Sequence, residues 1–290
     1  MDLFAQLLLN GIVIGATYAL IAVGLTLIFG MMRIVNFAHG EFYMLGAYFA
    51  VSAASGLHVG FFLALPLAVI GVTVVGWPFE RFLLRRLRDA DLLSSALLTI
   101  GFSIALQNVV LQVYGPKPAQ VPDPFGGSIL TIGPVSIATL RALTLAAALA
   151  AMALLAWILK YTKLGRTFRA TFQARDAAAL QGIEVDTVFS LAFAVGIALA
   201  AMAGALLSAV FVVSTDMGNI ANLKSFAVVI LGGLGNIPGA IIGGFLLGIA
   251  ESLAAGYVST GYKDGISFLL LILVLLVRPN GIFGRAEVQG

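Results

Sequence analysis

An all-α polytopic transmembrane bundle is the fold class this sequence predicts, with about eight or nine spans, some broken or short, and a short polar helix on the cytoplasmic side. Three observations lead there. Of 290 residues, 61% are hydrophobic and 10% charged, against roughly 25% charged in a soluble domain. Apolar runs long enough to cross a hydrocarbon core recur along the whole chain. Lysine and arginine collect at the ends of those runs, where the positive-inside rule places them, so the net charge of +3 needs no nucleic-acid partner.

With a ruler of about 20 apolar residues per span, helices are expected near 5–30, 38–56, 60–80, 92–114, 138–160 and 187–213. The first lacks a basic leader and is long enough to span, so it reads as a retained helix rather than a removable signal peptide. Region 221–278 is less regular, with apolar pieces near 221–234, 238–256 and 264–278 parted by Gly, Pro or Asn. Such breaks are tolerated at membrane depth only where the freed backbone is buried or lines a cavity. Two basic segments, one with Arg81, Arg85, Arg86 and Arg88 and one with Lys160, Lys163, Arg166, Arg169 and Arg175, are expected in the cytoplasm. Two spans separate them, which leaves 115–137 as a periplasmic loop, stiffened by Pro116, Pro118, Pro122, Pro124 and Pro134 and suited to docking a partner. The basic tail after Leu276 is expected inside. The N-terminus lies outside if 31–37 is a cytoplasmic turn and inside if that turn belongs to a re-entrant or broken helix. The whole chain, 1–290, then forms one transmembrane domain with a cytoplasmic loop at 161–186.

Polar residues in this setting mark candidate sites. GMMRIVNFAHGEFYMLGAY gathers Arg33, Asn36, His39 and Glu41 within nine residues. They read either as a polar break facing a substrate path or, more plainly, as a helix start with Asn36 as the cap, His39 at the third position and Glu41 at the positive end of the dipole. One histidine and one carboxylate make no metal ligand set. Thr99, Ser103 and Gln107 recur every fourth residue and form a stripe expected to face the bundle interior, where interhelical hydrogen bonds alone would explain it. LGGLGNIPGAIIGGFLLGIAES breaks a helix at Gly235, Asn236 and Gly239, and its pairs Gly239/Gly243 and Gly244/Gly248 make two small-residue faces for close helix packing. The same break could instead aim helix amides at an anionic solute. Glu251 is an isolated acid that reads as the end of a span beside a polar partner.

Absences narrow the function. There is no cysteine, so disulfides and thiolate metal sites are excluded. No GxxxxGK[ST] or HExxH occurs, there is no channel-type filter, and few acids lie deep enough to couple transport to an ion gradient. A pathway without an engine needs partners.

Four blocks make the sequence recognisable: NGIVIGATYALIAVGLTLIFGMMRIVNFAHGEFYMLGAY, LGRTFRATFQARDAAALQGIEVDTVFSLAFAVGIALAAMAGALL, LKSFAVVILGGLGNIPGAIIGGFLLGIAES and LLLILVLLVRPNGIFG. Nearly the whole chain resembles the LivH-type permease subunit of branched-chain amino-acid ABC importers. The resemblance implies an inner-membrane permease that pairs with a second homologous permease subunit, two cytoplasmic ATPase subunits that bind ATP and Mg, and a periplasmic or extracellular substrate-binding protein, with no cofactor on this chain. It implies leucine, isoleucine, valine or a related small amino acid as cargo, while the same permease group also handles urea, short amides and aromatic acids. Importer permeases carry an E-A-A-x-x-x-G loop that docks into the ATPase. Asp176, Ala177, Ala178 and Gly182 match its spacing, with aspartate for glutamate. Around 174–182 the expectation is a coupling helix with an acid near its start, Ala174, Ala177 and Ala178 on one small face, Gly182 in a left-handed C-terminal turn, and Arg169 leading into it. A stand-alone secondary transporter or a channel would have no use for that helix.

Overall fold

The computed structural model describes residues 3–87, 91–132 and 135–284. Eleven α-helices among them follow the order α1 (Leu3–Met32), α2 (His39–Gly56), α3 (Phe61–Phe82), α4 (Leu92–Tyr114), α5 (Thr139–Tyr161), α6 (Lys163–Gln173), α7 (Arg175–Leu180), α8 (Val185–Leu207), α9 (Met217–Gly232), α10 (Ile237–Tyr257) and α11 (Lys263–Val277). A two-stranded antiparallel hairpin, β1 (Ile129–Ile132) and β2 (Val135–Ala138), sits between α4 and α5. Six helices are long and apolar enough to cross a membrane unaided. The shorter α2, α9 and α11 complete the bundle.

The centre is built on absent side chains. A Cβ on Gly11 would stand 2.7 Å from Ile249 Cα, one on Gly15 2.8 Å from Phe245 Cα, and one on Gly244 2.6 Å from the backbone of Ala19. The backbones of α1 and α10 therefore touch along their length, which only small residues permit. The opposite face of α10 meets α9, where Cβ atoms on Gly239 and Gly232 would overlap the facing backbone and one on Gly243 would stand 2.9 Å from Val228 O. Both small-residue faces expected of α10 are thus used, one for each neighbour. Gly24 against Gly196, and Gly46 and Gly204 against Ala201 and Tyr43, bring α8 equally close to α1 and α2. Because Gly239 has no room for even a methyl, Gly239→Ala should destabilise the bundle by about 1–3 kcal/mol of overpacking. Thermal unfolding in detergent is the check, and Gly101→Ala, where the space is open, is the control that should hold or slightly raise Tm.

Packing at the rim differs. Phe62, Leu67, Ile70 and Val74 of α3, Leu93, Leu97, Ile100 and Ile104 of α4, and Leu149 and Leu154 of α5 stay exposed, as helices do when apolar solvent surrounds them.

Contacts define two ends. At the hairpin end, Gln6 Nε2 donates to Ser136 O at 2.8 Å, Arg141 Nη1 to Asn10 Oδ1 at 3.3 Å and Ser252 Oγ to Leu7 O at 2.6 Å. The loop after α4 is strapped across the end of α8: Ala119 and Val213 exchange backbone bonds of 3.1 and 2.7 Å, and Val121 N donates to Ser208 O at 3.0 Å. The expected span 187–213 therefore stops at Leu207, because the apolar residues that follow are drawn into this strap. The opposite end carries α6 and α7, with Gly30, Phe172 and Gly235 meeting there, and Ile282 N reaching Leu231 O at 2.8 Å. Of the residues singled out from sequence, Arg88 and Pro134 lie outside the described residues.

Candidate translocation site

α1 ends at Met32, and the chain reverses at Arg33, exposed with φ 54°. Residues 34–38 then run back into the bundle without helical structure. His39 opens α2 with its Nε2 3.1 Å from Ile21 O, a carbonyl about 16 Å up α1 from Met32 at 1.5 Å per residue. α2 thus starts well inside. The third-position reading of His39 is corrected to the first, and Asn36 stands two residues before the cap position held by Ala38. Asn36 still steadies the entry, its Oδ1 accepting from Ala38 N at 3.1 Å.

The polar stripe on α4 faces this segment. Thr99 Oγ1 accepts from Phe37 N at 3.1 Å and can donate to Ser95 O at 3.0 Å. Ser103 Oγ donates to Glu41 Oε1 at 2.9 Å, and Gln107 Nε2 to Thr215 O at 3.0 Å, just before α9. From α9, Asn222 Nδ2 donates to Phe37 O at 2.6 Å, and Phe226 packs its ring 4.9 Å from that of Phe37. A Cβ on Gly218 would stand 2.5 Å from Glu41 Oε2, so the free edge of the carboxylate looks at the first turn of α9. Two helices begin here inside the bundle, around one acid, and the positive ends of their dipoles favour negative charge.

Hydrogen bonding is incomplete at this point. Asn36 Nδ2, His39 Nδ1, Glu41 Oε2 and Asn222 Oδ1 are buried and have no hydrogen-bond partner among the described residues. Buried polar groups are nearly always satisfied, so several at one helix break distinguish it from ordinary packing. The set offers donors and acceptors together and, among the described residues, no metal-ligating group of three or more acids or imidazoles.

Gly235, Asn236 and Gly239 are elsewhere, at the end that carries α6 and α7. Gly233 and Gly235 take φ of 97° and 78°, a conformation open to glycine. Asn236 Oδ1 caps α10 by accepting from Gly239 N at 2.9 Å, while its Nδ2 donates to Phe283 O at 2.9 Å. The structure thus gathers Asn36, His39, Glu41, Thr99, Ser103 and Gln107 into one region and sets these three apart.

Lys224, which the sequence reading passed over, pairs with Glu251 in the interior. Its Nζ lies 2.8 Å from Oε1 and 2.9 Å from Oε2, with Tyr18 OH donating to Oε2 at 2.8 Å and Ser267 Oγ to Oε1. Four helices, α1, α9, α10 and α11, meet on this one carboxylate. Lysine in one apolar run and glutamate in the next were the available signal, since ionisable groups inside a bundle seek each other.

Residues 7–275 match the family described as the permease component of branched-chain amino acid transport systems. The chain belongs to this family. It is 42% identical to the high-affinity branched-chain amino acid transport system permease protein LivH of Escherichia coli K12, over 99% of this chain and 97% of that one. LivH of Salmonella typhimurium is 41% identical, and BraD of Pseudomonas aeruginosa 37%, each with the same coverage. No solved structure gives a significant match.

In this family member, the polar loop between α5 and α8 forms two short helices. α6 is capped by Thr162, whose Oγ1 accepts from Gly165 N at 3.2 Å, and Arg169 donates to Leu159 O, folding α6 back on the end of α5. α7 is shorter than the expected 174–182. It closes with Ile183 N on Ala178 O at 3.1 Å and Gly182 N on Ala179 O at 3.0 Å, and Gly182 is left-handed at φ 80°, a Schellman termination. The three alanines do not share one outward face. Ala178 is buried against the permease itself, whereas Ala174, Asp176 and Ala177 are exposed, and Leu180 is 87% exposed.

Proposed function

We propose that this permease carries leucine, isoleucine, valine or a related small amino acid across the inner membrane, driven by ATP hydrolysis on separate subunits. The end bearing α6 and α7 is the cytoplasmic one. Arg81, Arg85, Arg86, Lys160, Lys163, Arg166, Arg169 and Arg175 all belong to it, which the positive-inside rule supports. The N-terminus and the hairpin are then periplasmic. α6 and α7 form the docking element for an ATPase, Leu180 and Ala177 entering its groove. The strapped loop 115–137 and the hairpin receive the binding protein. A second permease subunit completes the path.

The observation that carries this reading is the convergence of the starts of α2 and α9 on Glu41, with unpartnered polar atoms of Asn36, His39 and Asn222 in the same region. A zwitterion carries its own donors and acceptor oxygens, so it can satisfy such groups in passage while shedding its water. The acid contributes charge recognition, the half-helices contribute fixed dipoles, and the glycine contacts between α9 and α10 let those helices move as one body.

Glu41→Gln keeps the shape and removes the charge. In vesicles holding the assembled importer, with leucine-loaded binding protein outside and ATP inside, uptake should fall about tenfold or more, equivalent to about 1.4 kcal/mol or more of lost stabilisation, with insertion and subunit attachment unchanged. Uptake at the wild-type rate would remove Glu41 from the path.

A further inference from the structure

At the hairpin end a cavity of about 320 Å³ lies between the start of α1, the start of α5 and the residues just after α8, within the range of small-molecule pockets, which begins at about 300 Å³. None of the residues gathered around Glu41 lines it. Arg141 of α5 and Asp123 of the strapped loop both line it, and among the described residues no hydrogen bond or ion pair joins them. Arg141 gives one donor to Asn10 Oδ1 at 3.3 Å and lies 6.0 Å from the centre of the Phe211 ring, which leaves most of its five donors for the cavity. The Asp123 carboxylate accepts from Phe125 N at 2.8 Å and from Gly127 N at 3.0 Å, one bond on each oxygen. Those bonds hold the carboxylate still without neutralising it, and each oxygen keeps a second acceptor position. Gln6 is spent on the wall: its amide exchanges bonds of 2.8 and 3.2 Å with the Ser136 backbone, pinning the hairpin to α1. The remaining lining is aliphatic, with Ile137, Leu140 and Ala209 buried and Val210 partly so.

We propose that this cavity binds a free α-amino acid with an aliphatic side chain, its carboxylate on Arg141, its ammonium on Asp123 and its side chain against Leu140 and Val210. Charge balance selects a zwitterion. A simple anion would meet Asp123 and a simple cation would meet Arg141, whereas a zwitterion offers each fixed charge its counterpart. The guanidinium matches a carboxylate with two parallel donors, and two opposite charges held in place by other bonds need little ordering when the ligand arrives. Aliphatic walls give a charged side chain nothing to pair with, so acidic and basic amino acids are disfavoured. That the cavity opens on the outer face, and so meets the cargo before the path does, rests on the function proposed above; the complementarity rests on the side chains alone.

The test is equilibrium dialysis of the full-length permease in detergent against radiolabelled L-leucine, with no binding protein present. Leucine should bind saturably, and Arg141→Gln and Asp123→Asn should each weaken it about tenfold or more. Arg141→Lys should retain part of the affinity, and Lys117→Gln, at the same end but outside the cavity, should retain all of it. Asp123→Asn keeps an acceptor for Phe125 N, so it serves if the Arg141→Gln variant cannot be isolated. Unlabelled isoleucine should displace the label, whereas 4-methylpentanoate, which lacks the ammonium, and 3-methylbutylamine, which lacks the carboxylate, should not. Absence of saturable binding, undiminished binding in both charge variants, or displacement by either singly charged analogue would overturn the proposal. Loss of binding in Glu41→Gln with none in Arg141→Gln would also overturn it, by placing the leucine in the buried path and leaving the function proposed above intact.

Discussion

Lys224→Met is expected to destabilise the permease by about 3–5 kcal/mol, because it leaves Glu251 charged and buried with its cation gone. The side chains are 8% and 4% exposed, so water cannot screen what remains. Tyr18 and Ser267 would still donate to the carboxylate, which softens the loss without replacing the charge. The double variant Lys224→Met/Glu251→Leu should recover most of the stability, since an apolar pair of similar volume avoids the desolvation cost of two ions. Thermal or denaturant unfolding of the single and double variants in detergent measures the coupling. If the double variant is as unstable as the single, the pair acts through shape rather than charge.

That buried pair also shows where the sequence stopped being legible. Span positions were readable because a hydrocarbon slab imposes a length: 92–114 was expected and Leu92–Tyr114 is found, while 138–160 became Thr139–Tyr161. The packing glycines of α10 were readable for the same kind of reason, since four-residue spacing puts small residues on one helix face. The α4 stripe was readable as interior, and Thr99, Ser103 and Gln107 each bond inward. What composition could not reveal was which side chains pair between helices. Glu251 was noticed and Lys224 was not, because LKSFAVV follows a polar stretch and looks like the outer edge of a span. Asn222, which ties α9 to the break at Phe37, was passed over for the same reason. The hairpin was hidden in a loop read as merely proline-rich, although Ile129–Ile132 and Val135–Ala138 flank a Gly-Pro turn signal. The one small face expected of Ala174, Ala177 and Ala178 splits on geometry, with Ala174 standing outside the helix as its extended N-cap. Ala177 and Ala178 are adjacent, and adjacent residues on a helix diverge by about 100°, so one can face out while the other packs in.

The docking role proposed for α7 is therefore tested at Ala177 rather than at Ala178. Ala177→Trp, on the exposed side of α7 beside the 87% exposed Leu180, is expected to leave the permease folded and inserted while reducing ATPase attachment and uptake by about tenfold or more. A groove fitted to a methyl group cannot take an indole without displacing the helix along its length. Ala178→Trp should act differently: its side chain is 4% exposed, so the new bulk strains the permease's own packing and lowers Tm by disrupting α7 itself. Lys117→Trp, exposed in the strapped loop at the opposite end, should affect neither attachment nor Tm. The measurements are pull-down of the ATPase subunits, uptake in vesicles and thermal unfolding, made on all three variants together. A short helix that only connects α6 to α8 would tolerate tryptophan at 177 in every assay. A docking helix would tolerate it in the melting curve alone, because the surface that Ala177 and Leu180 present would then be completed by another protein.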